Sequence, residues 1–473
     1  MKVLFVYHNR VEDGYMPQVI AILGGALKQE GIETKFFDTT FYRDKNDIFI
    51  NNDRKVRESQ KKGGYQPVQG FGFEREVVDL KEKFLEVVEE YKPDLIAATS
   101  TSFEFNSLLD FILPAKKKFN VPVIVGGSHA TVVPEKAIQK EGVDFICVGQ
   151  GEKPLLELVR RMENRGDITT IPSLWIKSPN GEIIRNKIGL QIENMDDTPE
   201  ADWDLIDERH RIRPFEGEVK RYGWFEISRG CPYSCSYCIN SKLHKIELEG
   251  GVKPGAYRFF SPKEIIRRMK KYKEKYGFNH VQCIDENMAA MPLEKLKELA
   301  KLYKENIGCS FFTQSRPECF VTSPEKAKIM AEMGCKMVGL GVESGNEELR
   351  RTILNRPMKD GIVEEAVRIL KNSGIMVATY YIIGFPTETE EMIKQTIDLH
   401  RRIQPDRFSV RFLHPFPGTS IRNICVKEGY ISDNYEDINS DASFFRDPVL
   451  NLPSPPHPTK ERLKELREEF ERY

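Results

Sequence analysis

Two hydrophobic patterns alternate along residues 1–165. Short apolar runs at Lys2–Tyr7, Ile32–Asp38, Leu95–Thr99, Val121–Val125 and Phe145–Val148 have the length of strands. Between them, helical spacing marks about 17–30, 76–91, 106–119, a short helix from Glu135, and 153–164. Pro17 suits a first helical position and Gly31 a cap. Strands that alternate with helices build an open parallel sheet, and ligands of such sheets sit beyond the carboxyl ends of the strands. Residues 1–165 are therefore expected to form an α/β, doubly wound, Rossmann-like domain. A polar insertion at 42–73, rich in Lys, Arg and Asp, interrupts it and reads either as a lid or as a solvated excursion.

Residues 166–222 carry mixed strand and turn signals, including Pro179-Asn180-Gly181, and read as a connector with a small sheet or hairpin and no chemistry. From Trp224 the alternation resumes. Strands at 224–228, 280–285, 310–314, 337–342, 376–384 and 407–413 are separated by helices at 262–276, 293–306, 324–333, 360–372 and 388–403. Six such units over 223–425 make a partial (β/α)6 barrel, whose functional residues belong at the carboxyl ends of its strands. Tyr380 and Tyr381 are neighbours on the fifth strand, so at most one faces the interior. The remaining 426–473 reads as a tail with a proline-rich break and a charged helix from Thr459, anchored by Leu463 and Leu466, that either docks or frays.

Composition narrows the class. Lys plus Arg (71) nearly cancels Asp plus Glu (72), so no global field draws the chain to nucleic acid or an anionic membrane. No apolar run is long enough to span a bilayer and no leader-like stretch opens the chain, so a cytoplasmic protein is expected. The 9 cysteines are an odd number, and Cys231, Cys235 and Cys238 crowd into one short loop, which favours metal ligation over a disulfide framework.

That loop, Gly230-Cys231-Pro232-Tyr233-Ser234-Cys235-Ser236-Tyr237-Cys238, follows the first barrel strand. A closed structural zinc site shows four ligands; here no fourth Cys or His stands nearby, which leaves one metal position open. Zinc, or unligated core cysteines, is the competing reading. The C-x3-C-x-Tyr-C pattern after a barrel strand resembles the signature of the radical S-adenosylmethionine (SAM) superfamily. The resemblance implies that Cys231, Cys235 and Cys238 hold a [4Fe–4S] cluster whose open iron binds SAM, and that one electron cleaves SAM to a 5′-deoxyadenosyl radical. It implies an electron donor such as flavodoxin or ferredoxin. It also places Tyr237 near the adenine, with plain core packing as the alternative.

Later strand ends extend the match. Asp285-Glu286-Asn287 stands where the family keeps polar groups for the SAM ammonium, making Glu286 a candidate against an exposed turn. Gln314 and Arg316 could serve ribose and carboxylate. Glu343, in Gly341-Val342-Glu343-Ser344-Gly345, suits ribose hydroxyls or the ammonium, against a structural role. The segments 383–389 and 415–419 resemble the fifth and sixth strand ends of the family.

In the first domain, Thr99-Ser100-Thr101-Ser102, Gly126-Gly127-Ser128-His129-Ala130-Thr131 and Gly149-Gln150-Gly151-Glu152 occupy the loops at strand carboxyl ends. Glycines there permit close approach of backbone to a ligand. No dinucleotide or P-loop glycine motif is present. Together with the cysteine motif, these loops resemble those of the cobalamin-binding domain in the cobalamin-dependent radical SAM subfamily, over about residues 1–425. The resemblance implies cobalamin bound by Ser100, Thr101, Gly126, Gly127, Ser128, His129, Gly149, Gly151 and Glu152. His8-Asn9-Arg10 stands where other cobalamin proteins carry an axial-histidine motif, so no histidine ligand is expected. His129 is either a ligand or a loop histidine satisfied by backbone. Methylthiotransferases also precede the barrel with such a domain, but theirs carries further cluster cysteines, whereas this one has only Cys147.

The expected activity is C-methylation of an unidentified organic substrate. By resemblance, the deoxyadenosyl radical abstracts hydrogen and methylcobalamin donates methyl. A radical cyclisation or rearrangement without methyl transfer is the first alternative. A non-catalytic cobalamin or iron–sulfur sensor is the second.

Overall fold

The structure, a computed structural model, describes residues 1–9, 16–45, 75–253, 257–434, 447–470 and 472. Most of the 42–73 insertion, and Arg10, lie outside the described residues.

The apolar runs of the first region carry no polar alternation because both their faces are covered. The strands are β1 (Lys2–Tyr7), β2 (Glu33–Asp38), β3 (Tyr42–Asp44), β4 (Glu76–Val78), β5 (Leu95–Thr99), β6 (Val123–Gly126), β7 (Phe145–Cys147), β8 (Leu174–Lys177) and β9 (Ile183–Arg185). Val3, Phe5, Leu95, Ala97 and Ile124 pack on one side with the helices Gln18–Gln29 and Glu152–Glu163. Leu4, Val6, Ile96, Ala98 and Val123 pack on the other with Leu80–Tyr91 and Phe105–Phe119. Each fully buried Phe, Leu or Val there contributes roughly 1.5–3 kcal/mol by leaving water. The sheet order is β2-β1-β5-β6-β7-β8-β9, parallel as far as β7. The strand order turns back between β1 and β5, the switch point beside which such sheets bind ligands.

The second sheet runs β10 (Ile212–Phe215), β11 (Glu218–Phe225), β14 (His280–Cys283), β15 (Ser310–Ser315), β16 (Cys335–Glu343), β17 (Met376–Ile383) and β18 (Arg407–Phe412). From β11 onward it is parallel, with helices outside, as a partial barrel requires. A short antiparallel ribbon, β12 (Ser228–Arg229) with β13 (Arg258–Phe259), leads from β11 into the cysteine loop.

Three readings of the sequence are corrected. The 166–222 connector forms the expected hairpin but no small sheet of its own. Its hairpin β8–β9, turning at Gly181 (φ +86°), adds two antiparallel strands to the first sheet, while β10 and the start of β11 belong to the second. Local pattern announces a hairpin, but only long-range pairing chooses the sheet it joins. The rest of the connector is cement. Met195, Trp203 and Ile206 lie in the core common to both sheets. Helix Gln18–Gln29 presses so closely on it that a Cβ at Gly25 would lie 1.8 Å from the Glu200 carbonyl. Second, residues 126–131 are not a loop: Gly126 precedes a helix, Gly127–Val132. Third, the first barrel strand is β11, ending at Phe225 rather than spanning 224–228, because the chain leaves the sheet for the ribbon.

The terminal helix Lys460–Phe470 docks. Leu463, Leu466 and Phe470 are buried, with the Phe470 ring 5.3 Å from Tyr381 and 5.8 Å from His400.

Candidate functional site

Both sheets turn the carboxyl ends of their parallel strands toward one cavity of about 440 Å3. The first sheet contributes Thr99, Gly126, Gly127, Ser128, Cys147, Gly149, Gly151 and Glu152. The barrel contributes Glu226, Arg229, Cys231, Ile284 and Glu286, and the helix Asn240–Glu249 adds Leu243, His244 and Glu247. A wider groove of about 880 Å3 lies along Phe36–Asp38, Asp204–Arg209 and Tyr276 and touches none of the strand-end residues singled out from the sequence.

On the first-domain wall the backbone faces the cavity. Gly127 and Gly149 both sit at φ +91°, a conformation that favours glycine. A Cβ on Gly127 would meet Thr99 Oγ1 at 2.6 Å and the Ser100 carbonyl at 2.8 Å. The neighbouring polar side chains turn away. Ser100 is buried; its hydroxyl donates to the Thr101 carbonyl at 2.7 Å and its N–H to the Gly126 carbonyl at 3.2 Å. The Thr101 hydroxyl donates to Glu104. His129 is buried, with Nδ1 3.0 Å from Ser102 Oγ and its ring 4.1 Å from that of Phe105; burial pushes its pKa down to about 4, so it is neutral. Of the nine residues assigned to cobalamin by resemblance, Ser100, Thr101 and His129 do not line the cavity. These three side chains bond instead to the Thr101 carbonyl, Glu104 and Ser102, while the Ser100 backbone N–H meets the Gly126 carbonyl. His8 likewise binds Thr39 Oγ1 (3.1 Å) and Ser107 Oγ (2.9 Å) outside the cavity lining. Gly126, Gly127, Ser128, Gly149 and Gly151 form a shelf almost free of projecting side chains, which fits a broad flat ligand such as a corrin.

The cysteine loop is pinned by segments that lie beyond β16 and β18. Gly230 at φ +89° turns the chain into it. Ser236 N–H donates to the Leu354 carbonyl (3.0 Å), Ile421 N–H to the Ser236 carbonyl (2.9 Å) and Asn355 Nδ2 to the Ser234 carbonyl (2.8 Å). Cys235 is buried while Cys231 and Cys238 are partly open. Burial pushes the Cys231 thiol up to about 11 and that of Cys238 up to about 12. Among the described residues no three His, Cys, Asp or Glu side chains converge as ligands of a single metal ion. A cuboidal cluster takes one thiolate per iron, so three separate thiols without a fourth ligand fit a [4Fe–4S] cluster better than a closed mononuclear site.

The side chains expected to serve SAM divide into two groups. In Asp285-Glu286-Asn287 the outer two are buried clamps. Asp285 accepts from Ile227 N–H (3.2 Å) and the Ser228 hydroxyl, and Asn287 Oδ1 accepts from Arg316 N–H (3.1 Å). Only Glu286 enters the cavity. Its side chain opens onto the cavity, and desolvation by the surrounding walls, with Glu226 and Glu247 nearby and Arg229 opposing, pushes it up to about 7. The second group sits on the cysteine loop. Arg316 stacks 3.6 Å from the Tyr233 ring centroid, pairs with Glu318 and reaches to 3.7 Å from Cys235 Sγ. Glu343 adopts φ +67°, a strained conformation for a non-glycine residue. Its carboxylate folds back over Gly341, where a Cβ would lie 2.6 Å from Oε1. Burial raises its pKa, against the pull of Arg356 and a hydrogen bond from Tyr237. Gln314 is exposed and joins neither group. Tyr381 is buried against His400, and Tyr380 lies over Gly339, so one tyrosine faces in, as alternation requires.

The Radical SAM superfamily model matches residues 225–400 and the B12 binding domain model matches residues 67–159. The chain belongs to the cobalamin-dependent radical SAM family. Membership brings three cofactors, a [4Fe–4S] cluster, SAM and cobalamin, and makes the protein an enzyme. This radical SAM chain is 25% identical over 382 residues to an uncharacterized methyltransferase of Pyrococcus horikoshii, covering 80% of the chain and 78% of the relative. It is 22% identical over 333 residues to an anaerobic magnesium-protoporphyrin IX monomethyl ester cyclase of Rubrivivax gelatinosus, covering 69% of the chain and 57% of the cyclase. In fold it is similar to the radical SAM methyltransferase TsrM from Kitasatospora setae, solved with tryptophan substrate and a SAM analogue. That match has a TM-score of 0.66 at 19% identity over 90% of this chain and 76% of TsrM.

Several side chains at the site of this radical SAM enzyme escaped the sequence reading. Gln191, in the supposedly inert connector, lines the cavity and accepts from Gln150 N–H at 3.1 Å. Arg356 is buried between Tyr237, Glu343 and the Gly341 carbonyl. Glu226 and Arg229 flank the first turn out of β11. Their signal was present, since Glu226 and Arg229 are opposite charges i and i+3 immediately before the cysteine loop. No helix among the described residues is long and apolar enough to cross a membrane.

Proposed function

We propose that the protein is a C-methyltransferase that activates a carbon of an organic substrate by the radical SAM route. The observation that carries this is the shared cavity. Cys231 and Glu286 stand on its barrel side and the glycine shelf on the other, so groups held on the two walls face one another. In this reading Cys231, Cys235 and Cys238 hold the cluster. Glu286 holds the SAM ammonium, Arg316 the carboxylate, and Glu343 with Tyr237 the nucleoside. Gly126, Gly127, Ser128, Gly149 and Gly151 carry the corrin.

When bound, the cluster supplies the electron that cleaves SAM and cobalamin supplies the methyl group. The chain's own residues do the rest. Glu286, poised near neutrality, gives up its proton as a cation settles beside it. Asp285 and Asn287 keep that strand end rigid through the contacts to Ile227 and Arg316. Ile20, Leu23, Ile124, Leu155, Leu243 and Ile284 give the cavity walls their apolar character and disfavour water. The cyclase relative is matched over 57% of its length against 78% of the methyltransferase, which favours methyl transfer over rearrangement.

The test is turnover by the anaerobically reconstituted enzyme with methyl-labelled SAM, against candidate substrates. Methyl transfer predicts labelled product with S-adenosylhomocysteine and 5′-deoxyadenosine formed together. Deoxyadenosine and altered substrate without S-adenosylhomocysteine or label would assign a rearrangement instead.

A further inference from the structure

Arg229 is the last residue of the ribbon before the cysteine loop, and its guanidinium joins two domains. Nη1 lies 2.7 Å from Glu152 Oε1, and Nε donates to Glu226 Oε1 at 2.9 Å. Glu152 opens the helix Glu152–Glu163 of the first domain, beside the shelf glycines Gly149 and Gly151; Glu226 follows β11 of the barrel. The Arg229 and Glu152 side chains are only 14% and 8% exposed, so the pair is held out of water. Fork geometry lets one arginine engage both carboxylates, which a lysine ammonium does less well.

The ribbon makes a second crossing of the same kind. Arg258, paired with Arg229 across β12 and β13, donates to the Ile192 carbonyl of the connector and pairs with Glu247. The connector is in turn latched to the first-domain loop, because Ile192 N–H donates to Gln150 Oε1 at 2.8 Å. Gly230 and Cys231 follow Arg229 without an intervening residue. The loop 149–152 and the segment leading into Cys231 are thus held in register by the Arg229 guanidinium directly and by Arg258 through the connector.

We infer that Arg229 is a positioning residue: by bridging Glu152 and Glu226 it fixes the cysteine loop relative to the glycine shelf, and so sets the separation of the two cofactor walls. Removing it strands two carboxylates of low exposure in the cavity wall, whose repulsion drives the walls apart. Glu152 then acts through Arg229, not by touching the corrin. The inference rests on the proposed function only where cobalamin binding is the readout; the bridge itself belongs to the protein.

The experiment compares wild type, R229A, R229K, E152Q and R229A/E152Q as full-length, cluster-reconstituted protein. Three readouts are taken: hydrogen exchange in peptides covering 147–153 and 226–231, affinity for hydroxocobalamin, and reductive SAM cleavage. The bridge predicts that E152Q and R229A both speed exchange in the two segments together by about tenfold and weaken hydroxocobalamin binding by about tenfold, the loss of one buried charge-assisted contact. R229K falls between. In E152Q, SAM cleavage and iron content stay near wild type, since the cluster ligands, Glu286 and the Arg229 charge beside it are intact. The double variant is no worse than R229A alone, the mark of two residues acting through one contact. If E152Q leaves exchange in both segments unchanged, or weakens cobalamin binding equally in wild-type and R229A backgrounds, the positioning role is wrong. Should R229A fail to fold, E152Q and R229K decide the matter by themselves. Should hydroxocobalamin bind to none of the proteins, the proposed function falls and exchange alone decides the role of Arg229.

Discussion

The two walls of the cavity do different work with different parts of the chain. On the first-domain wall, glycines present backbone while the polar side chains of Ser100, Thr101 and His129 bond within their own loops, to the Thr101 carbonyl, Glu104 and Ser102. On the barrel wall the backbone is hidden and side chains reach inward, Glu286 toward the cavity and Arg316, Glu343 and Arg356 around the cysteine loop. A broad, mostly uncharged face asks for shape, which side chains would spoil. A small charged group asks for opposite charges at short range. Similar strand-end loops thus have to be read in opposite ways.

The largest expected effect breaks the barrel wall. Cys231→Ala takes away one of the three proposed cluster ligands, and iron content, cluster absorbance and 5′-deoxyadenosine formation should all be lost together, with hydroxocobalamin binding largely kept. The two glycines of the shelf give the next sharpest contrast. Gly126 is extended and a Cβ there has only Cys147 Cβ at 3.9 Å, so Gly126→Ala should fold as wild type yet place a methyl on the shelf and weaken hydroxocobalamin binding. Gly127→Ala, at φ +91° and against Thr99 and Ser100, should lower stability as well, by about 1–3 kcal/mol in denaturant titrations. Equal loss of stability in both would mean that the shelf is shaped by packing and not by ligand.

Glu286→Gln should weaken SAM binding about tenfold through loss of one charge-assisted contact. It should also remove a pH dependence. The carboxyl is raised to about 7, so wild-type affinity for the SAM ammonium should fall as pH drops through that value and the acid becomes neutral, while the Gln variant stays flat. Isothermal titration across pH 6–8 checks both. The smallest effect is expected on the first-domain wall. His129→Asn should cost modest stability through its contacts with Ser102 and Phe105 but leave the spectrum of bound cobalamin unchanged. A shifted spectrum would make His129 an axial ligand and overturn the backbone account of that wall.

The fold was largely legible in the sequence where periodicity was clean. Helices Pro262–Tyr276 and Leu293–Asn306 and strand Leu95–Thr99 occupy the residues that hydrophobic spacing picks out. It was least legible in the connector, whose short strands and turns carry no period and whose partners lie far away in sequence. The cysteine loop was legible because its chemistry is local. Cys231, Cys235 and Cys238 fall within one short segment, as do Gly149 and Gly151. The direction of a side chain was not. Nothing in the order Asp285-Glu286-Asn287 says that only the middle carboxylate enters the cavity, since that depends on Ser228 and Arg316, which arrive from other strands.

The sequence by itself determined the two α/β units, the spacing of the cysteine loop and the loops that border the cavity, because strand period, helix period and residue spacing are short-range properties. Tertiary structure alone decided that the connector joins both sheets, that His129 packs on Phe105 and Ser102 instead of lining the cavity, and that Arg229 ties Glu152 to Glu226. Each of those outcomes is a contact between segments far apart in the chain. Such contacts are selected by burial, hydrogen-bond satisfaction and charge pairing once the sheets have met.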